Sequence, residues 1–441
     1  MPKSESAALK WVLYNLLFAV VYPFLLPGFL VRMLRRGGYA ARFADRFALY
    51  PENLRFPQSP VWIHAVSVGE VQVAGQLMRE WRAADPSVRF CFSTTSSTGW
   101  KTAEKEMEKI GGDGDVLIYN PLDFPNFVKS ALKRIRPRAI VLTESEIWPN
   151  FILTAKRYGI PLFLINARVS DRSAPRYKAA KFFFGDVLSC FTRIFAQSDL
   201  DADRLIAAGA PKDRVEVTGS FKFDVAHRNE AKERELRAWT GEGKILLGGS
   251  TWPGEDEVML RVYRGLLDAG ETDLKLVLAP RHFEKADAVE ANIRKAGFAC
   301  VRRSRPSDPN TSSPDFNPNT QTPQHPNTVF LADTTGELMG LYGIADRVFV
   351  GKSLCAHGSQ NMIEPCLCGK PTAVGPYTEN FRPVMSDLLA ADALVQVRDE
   401  AELARFFKSV PEGLGARASA AVARRTGVVA KCVREIREVL K

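Results

Sequence analysis

With 441 residues, the chain is too long for one ordinary hydrophobic core and fits two domains of roughly 150 to 200 residues each. Its 46% apolar and 25% charged residues exclude a disordered or fibrous chain. The net charge of +10 would suit nucleic acid, but half of that excess lies in residues 1–60, where eight Lys and Arg face three Asp and Glu beside an apolar segment. No aromatic-basic binding motif accompanies it, so nucleic acid is set aside as a partner.

The first predicted element is Trp11 to Val31, 21 residues without a charged side chain. It is long enough to cross a bilayer, and too long, with no small-residue cleavage site after it, for a simple signal peptide. Pro23, Pro27 and Gly28 interrupt it, which favours a bent or interfacial insertion about as much as a spanning helix. Either way Arg32, Arg35 and Arg36 would meet anionic lipid headgroups, and the positive-inside rule puts the body of the protein in the cytoplasm. Residues 1–36 are therefore expected to form a membrane anchor.

Beyond Gly37 short β-branched runs alternate with longer amphipathic ones. Strands are predicted at 61–66, 88–93, 116–118, 139–142, 161–165, 193–196 and 214–217, and helical patterns separate them. This rhythm implies a parallel sheet covered on both faces, in a domain over 37–228. A charged helical stretch follows, and the rhythm restarts near Lys244 with strands at 245–248, 275–279, 298–301, 328–331, 347–350 and 371–374. That is a second α/β domain, 243–425, with a closing helix over 426–441. Its segment 303–327, rich in Pro, Asn, Ser and Thr, reads as a disordered insertion. The seven cysteines are odd in number and form no CxxC pair, as reduced thiols of a cytosolic protein would. Cys366 and Cys368 near His357 have the wrong spacing for zinc, and Asp201-Ala202-Asp203 falls in a predicted helix. No metal and no cofactor is expected.

Several polar groups lie where strands end. Glu70 follows the apolar run and turn Val61 to Gly69, next to Ser67, and opens an amphipathic helix. Ligands of open α/β sheets bind beyond the strand ends, so Glu70 is a candidate catalytic base, although a Glu in a first turn also complements the helix dipole. No G-x-G-x-x-G follows a strand, which argues against a dinucleotide enzyme. Gly248 to Gly254, with Ser250 and Thr251, instead offers backbone N–H groups to an anion. Pro280-Arg281-His282, Gly336-Glu337-Leu338 and the group Gln360, Asn361 and Glu364 each follow a predicted strand. Singly they read as salt-bridge partners or helix caps; together they indicate a binding site.

In this order the motifs resemble the 3-deoxy-D-manno-octulosonic acid (Kdo) transferases of lipopolysaccharide biosynthesis. The marks are Ile63 to Glu70, Thr94 to Gly99, Thr143 to Asn150, Asn166 to Ser173, Gly219 to Asp224 and the three later clusters. The resemblance implies a GT-B architecture: two Rossmann-like domains facing a central cleft, with an N-terminal membrane-associated helix. It implies an inverting, metal-independent glycosyltransferase that moves Kdo from CMP-Kdo to the lipid A precursor, lipid IVA, at the cytoplasmic side of the cell inner membrane. Glu70 matches the family's base, and Ser250, Pro280, Arg281, His282, Gly336, Glu337, Leu338, Gln360, Asn361 and Glu364 match its donor side. Ser67, Gly69, Glu144, Arg168 and Arg172 are the acceptor-side expectations; Glu146 and Trp148 receive no individual role. Gln360 and Trp252 stand where the family pattern has His, and Lys352 where it has Gly. A related CMP-activated 2-keto sugar is therefore an alternative donor, and a nucleotide-sugar epimerase is an alternative on the same architecture.

Overall fold

The computed structural model describes residues 5–36, 42–224, 228–305 and 327–441. It divides into two compact units, Met1–Asp224 with Gly427–Lys441, and Val225–Thr426. Most of the predicted insertion lies outside the described residues.

In the first unit the strands are β1 (Val61–His64), β2 (Phe90–Thr94), β3 (Val116–Tyr119), β4 (Ala139–Thr143), β5 (Leu162–Ala167), β6 (Arg193–Ala196) and β7 (Val215–Val217). They form one parallel sheet in the order β3-β2-β1-β4-β5-β6-β7. Strands β1, β2, β4 and β5 are buried along their whole length, as a parallel sheet with helices on both faces requires. One face packs Trp62, Ile140, Leu142 and Leu164 against helix residues such as Phe151 and Ile152. The other packs Ile63, Val141 and Phe163 against the helix Val68–Ala84 and the C-terminal helix Val428–Val439. Asp224 fastens that last helix by accepting hydrogen bonds from the N–H groups of Gly427 and Val429, both at 2.7 Å.

The second unit repeats the plan with β8 (Lys244–Thr251), β9 (Leu274–Pro280), β10 (Ala299–Arg302), β11 (Thr328–Leu331), β12 (Arg347–Val350), β13 (Thr372–Val374) and β14 (Val395–Gln396), in the order β10-β11-β9-β8-β12-β13-β14. Strand β14 is two residues long, lies in the short apolar run Ala393 to Val397, and is not among the predicted strands. In both sheets the first strand lies inside, β1 beside β4 and β8 beside β12, although in the second sheet β11 is inserted between β9 and β10; ligands of such sheets bind outside the carboxyl ends at this central reversal.

The apolar N-terminal segment is one helix, Glu5–Arg36, and it continues through Pro23 and Pro27. One face docks on its own unit: Tyr14 donates to Asp123 at 3.3 Å, Asn150 Nδ2 donates to Asn15 Oδ1 at 3.0 Å, and the Tyr14 and Phe18 rings meet Phe183 and Phe124. Val12, Leu13, Leu16, Leu17, Val20, Val21 and Phe24 form the exposed face. A spanning helix is not supported: among the described residues no helix is long and apolar enough to cross a membrane.

At the reversal of the second sheet, the buried carboxylate of Glu255 accepts five backbone hydrogen bonds. Trp252 and Lys352 donate to Oε2 at 2.9 and 2.7 Å; Ser353, Leu354 and Cys355 donate to Oε1 at 2.9, 2.9 and 3.3 Å. Gly351 makes this crossing possible, since a Cβ there would collide with the Ser250 carbonyl oxygen. Glu255→Ala would leave these N–H groups without their acceptor, and a loss of about 3 kcal/mol or more in guanidinium unfolding is expected, with Glu255→Gln in between.

Candidate functional site

In the first unit the site grows from the turn after β1. Ser67 caps the helix Val68–Ala84, its Oγ accepting from the Glu70 N–H at 3.3 Å. The Glu70 side chain folds back so that Oε2 accepts from the Val66 N–H at 2.7 Å and from the Thr143 hydroxyl at 3.4 Å. The capping role that competes with catalysis is thus real and occupies one oxygen. Oε1 accepts no hydrogen bond from the described residues. Gly69 leaves its Cβ direction open beside Ser67.

Glu144 and Glu146 follow β4, the strand next to β1 at the chain reversal. Glu144 has left-handed backbone (φ 50°), as does Asn166 (φ 51°), whose Nδ2 donates to Glu144 Oε1 at 3.3 Å. Such strain in non-glycine residues is kept where surrounding contacts over-determine it, often at functional sites. Arg168 Nε donates to Glu144 Oε2 at 2.6 Å. Burial, and then the charge of Glu70, raise the Glu144 carboxyl above its ordinary value, against the lowering effect of Arg168. Burial lowers the Lys222 ammonium, which Glu144 partly restores.

Glu146 accepts from Trp148 Nε1 at 2.8 Å and stands 4.0 Å from His64 Nε2. Burial, reinforced by the charges of Glu70 and Glu144, pushes its carboxyl up to about 7. His64 is fully buried with Nδ1 2.9 Å from Ser93 Oγ, and burial lowers it to about 4, so its ring is neutral at pH 7. Arg172 is exposed with no partner among the described residues. The side chains of Arg32, Arg35 and Arg36 lie outside what is described.

In the second unit Ser250, Pro280, Arg281, Gly336, Glu337 and Leu338 line one pocket of about 190 Å³ at the ends of β8, β9 and β11. Three of the clusters read from the sequence therefore meet. Arg281 is exposed on the pocket wall and its guanidinium has no carboxylate partner among the described residues. Glu337, by contrast, is occupied: it pairs with Arg303 and Lys232 and accepts from Thr334, and these partners overcome burial to lower its carboxyl to about 2. Its side chain braces the pocket wall. His282 is partly exposed and pairs with Glu284 at 3.1 Å.

Gln360, Asn361 and Glu364 do not line this pocket; they belong to the segment after β12, where the Gln360 N–H bonds the Gly351 carbonyl at 3.0 Å. Asn361 accepts from the Ile363 N–H and donates to Glu364 at 3.0 Å, and burial raises the Glu364 carboxyl. Asp201 of the D-x-D match accepts from the Val169 N–H at 2.8 Å, a structural role. Among the described residues no group of three or more His, Cys, Asp or Glu is arranged to hold a metal ion.

Sequence reasoning gave no role to Glu146, His64, Lys222 or Glu255. His64 and Lys222 sit inside motifs that were recognised, and Glu255 follows the glycine that opens a helix. Their contacts join strands far apart in the chain.

Residues 41–225 match the family model described as 3-deoxy-D-manno-octulosonic-acid transferase. The 3-deoxy-D-manno-octulosonic acid transferase of Haemophilus influenzae is 32% identical over 88% of this chain and 87% of its own length. That of Bordetella pertussis is 34% identical over 81% and 80%. A UDP-GlcNAc 2-epimerase from Neisseria meningitidis superposes with a TM-score of 0.55 at 12% identity, over 84% of this chain and all of that one, and shares the fold alone.

The Glu146 geometry predicts a pH signature. The folded carboxyl titrates near 7 and the ordinary one near 4.5. The folded state holds a proton that the unfolded state gives up between these values. The group's contribution to stability is therefore full below 4.5 and lost as pH rises through 7. Glu146→Gln is expected to melt with the wild type at pH 5 and, on the order of a few degrees, above it at pH 8.

Proposed function

The chain belongs to the 3-deoxy-D-manno-octulosonic acid transferase family, and from that premise we propose that it moves Kdo from CMP-Kdo onto the lipid A precursor lipid IVA, with Glu70 as general base. It is a glycosyltransferase of the Kdo transferase kind. The observation that carries the mechanism is the divided carboxylate of Glu70, one oxygen held by Val66 N–H and Thr143 and the other without a partner among the described residues. A carboxylate fixed in this way keeps its orientation while its second oxygen accepts a proton.

In the proposed step an acceptor hydroxyl gives its proton to Glu70 Oε1. The hydroxyl oxygen bonds to the anomeric carbon of Kdo as the bond from that carbon to the CMP phosphate breaks. A single displacement of this kind inverts the anomeric centre, and CMP leaves as a phosphate monoester. Arg281 and backbone N–H groups beside Ser250 are suited to receive the charge on that phosphate. Arg172, exposed and without a partner among the described residues, is suited to a phosphate of the lipid acceptor, whereas Arg168 is engaged by Glu144.

The exposed row Val12 to Phe24 supports attachment by lying on the cytoplasmic face of the inner membrane, with anionic lipids near the basic end of the helix. Paired Leu13→Asp and Leu17→Asp substitutions are expected to abolish cosedimentation with phosphatidylglycerol vesicles while leaving the protein folded. Undiminished cosedimentation would remove this mode of attachment.

Purified protein incubated with CMP-Kdo and lipid IVA in EDTA should yield an acceptor heavier by whole Kdo residues in mass spectrometry; no product would overturn the reading. Glu70→Gln, which can keep the cap to Val66, is expected to lose at least about 100-fold in turnover with little loss of stability. A variant within threefold of the wild type would remove Glu70 as the base.

A further inference from the structure

The reversal point of the second sheet holds a constellation that the transfer mechanism above leaves unused. Trp252 follows β8, His282 follows β9 and Lys352 follows β12, three neighbouring strands. Lys352 Nζ lies 4.6 Å from the centroid of the Trp252 ring, and the His282 ring meets the same indole edge-on at 5.4 Å. Lys352 forms no ion pair among the described residues. The carboxylate joined to its backbone, Glu255, is already taken up by five N–H donors.

Two features set this lysine apart from a solvated surface charge. Its backbone is left-handed (φ 57°), a conformation that costs a residue with a β-carbon, and it is held there by Glu255 on its N–H and by the Ser359 N–H on its carbonyl at 2.7 Å. Its ammonium is pinned over an aromatic face, and the buried indole Nε1 of that face has no hydrogen-bond partner among the described residues. A cation held this way gives up conformational freedom before any ligand arrives, and its nearest unmet need is an anion. Trp252 also lies two residues beyond Ser250, which lines the pocket with Arg281.

We propose that Lys352, held over Trp252, is a specificity-determining residue that pairs with the carboxylate of the donor's sugar acid. This rests on the donor reading given above. Arg281, on the pocket wall, then serves the phosphate, and the two cations divide the two anionic groups of a CMP-activated sugar acid. A neutral sugar would leave the lysine without its partner, which selects against such donors.

The test compares two ligands on the intact protein: the KM for CMP-Kdo in the transfer assay and the Kd for CMP, which lacks the sugar carboxylate, by titration calorimetry. Lys352→Gln is expected to raise the KM for CMP-Kdo about tenfold with CMP binding unchanged, and Lys352→Arg to recover most of the difference. Equal weakening of CMP and CMP-Kdo would assign the lysine to the phosphate and overturn the proposal. So would an unchanged KM in a wild type that turns over. A wild type that transfers no Kdo would overturn the functional reading, and this inference with it.

Discussion

Five backbone N–H groups that neither sheet nor helix satisfies converge on one buried carboxylate, Glu255, and the binding face of the second unit depends on that convergence. Without an acceptor, the turn after β8 and the segment after β12 could not approach each other, because each unpaired buried donor costs free energy comparable to a lost hydrogen bond. With it, Ser250, Trp252 and Lys352 are placed on neighbouring strand ends. Gly351 supplies the room and Glu255 the polar compensation.

The first unit uses the same physical device at the same place in its sheet. After β1, as after β8, a glutamate in the first helical turn folds back onto the turn that precedes it. Glu70 takes up only one N–H there, so half of its carboxylate is left for chemistry, whereas Glu255 is saturated. That difference in count separates a candidate base from a structural brace. Around Glu70, burial is the first cause of the shifts at Glu144, Glu146, Lys222 and His64; neighbouring charge comes after it at the two glutamates and the lysine, while His64 responds to burial and its Ser93 hydrogen bond.

The comparison of sequence and structure is informative residue by residue. Thirteen of the fourteen strands were legible as apolar, largely β-branched runs; β14, two residues within the short run Ala393 to Val397, was missed. Glu70, Ser250, Pro280 and Arg281 were legible as positions because they lie at or shortly after the carboxyl ends of strands. Glu337 was legible as a position but not as a role, since its partners Lys232 and Arg303 come from distant parts of the chain. For the N-terminal segment the sequence left a spanning helix and an interfacial one open; the contacts of Tyr14 and Asn15, which turn one face of that helix back onto the protein, were not legible in it.

By itself the sequence determined the elements, the doubly wound plan of each unit and the family, because periodicity, strand-end glycines and ordered motifs are local properties of the chain. Only the tertiary structure decided what each charged group does. Whether a glutamate is a cap, a brace or a base turns on how many donors reach its oxygens. Those donors come from strands adjacent in the sheet but as many as 100 residues apart in sequence, as Cys355 is from Glu255.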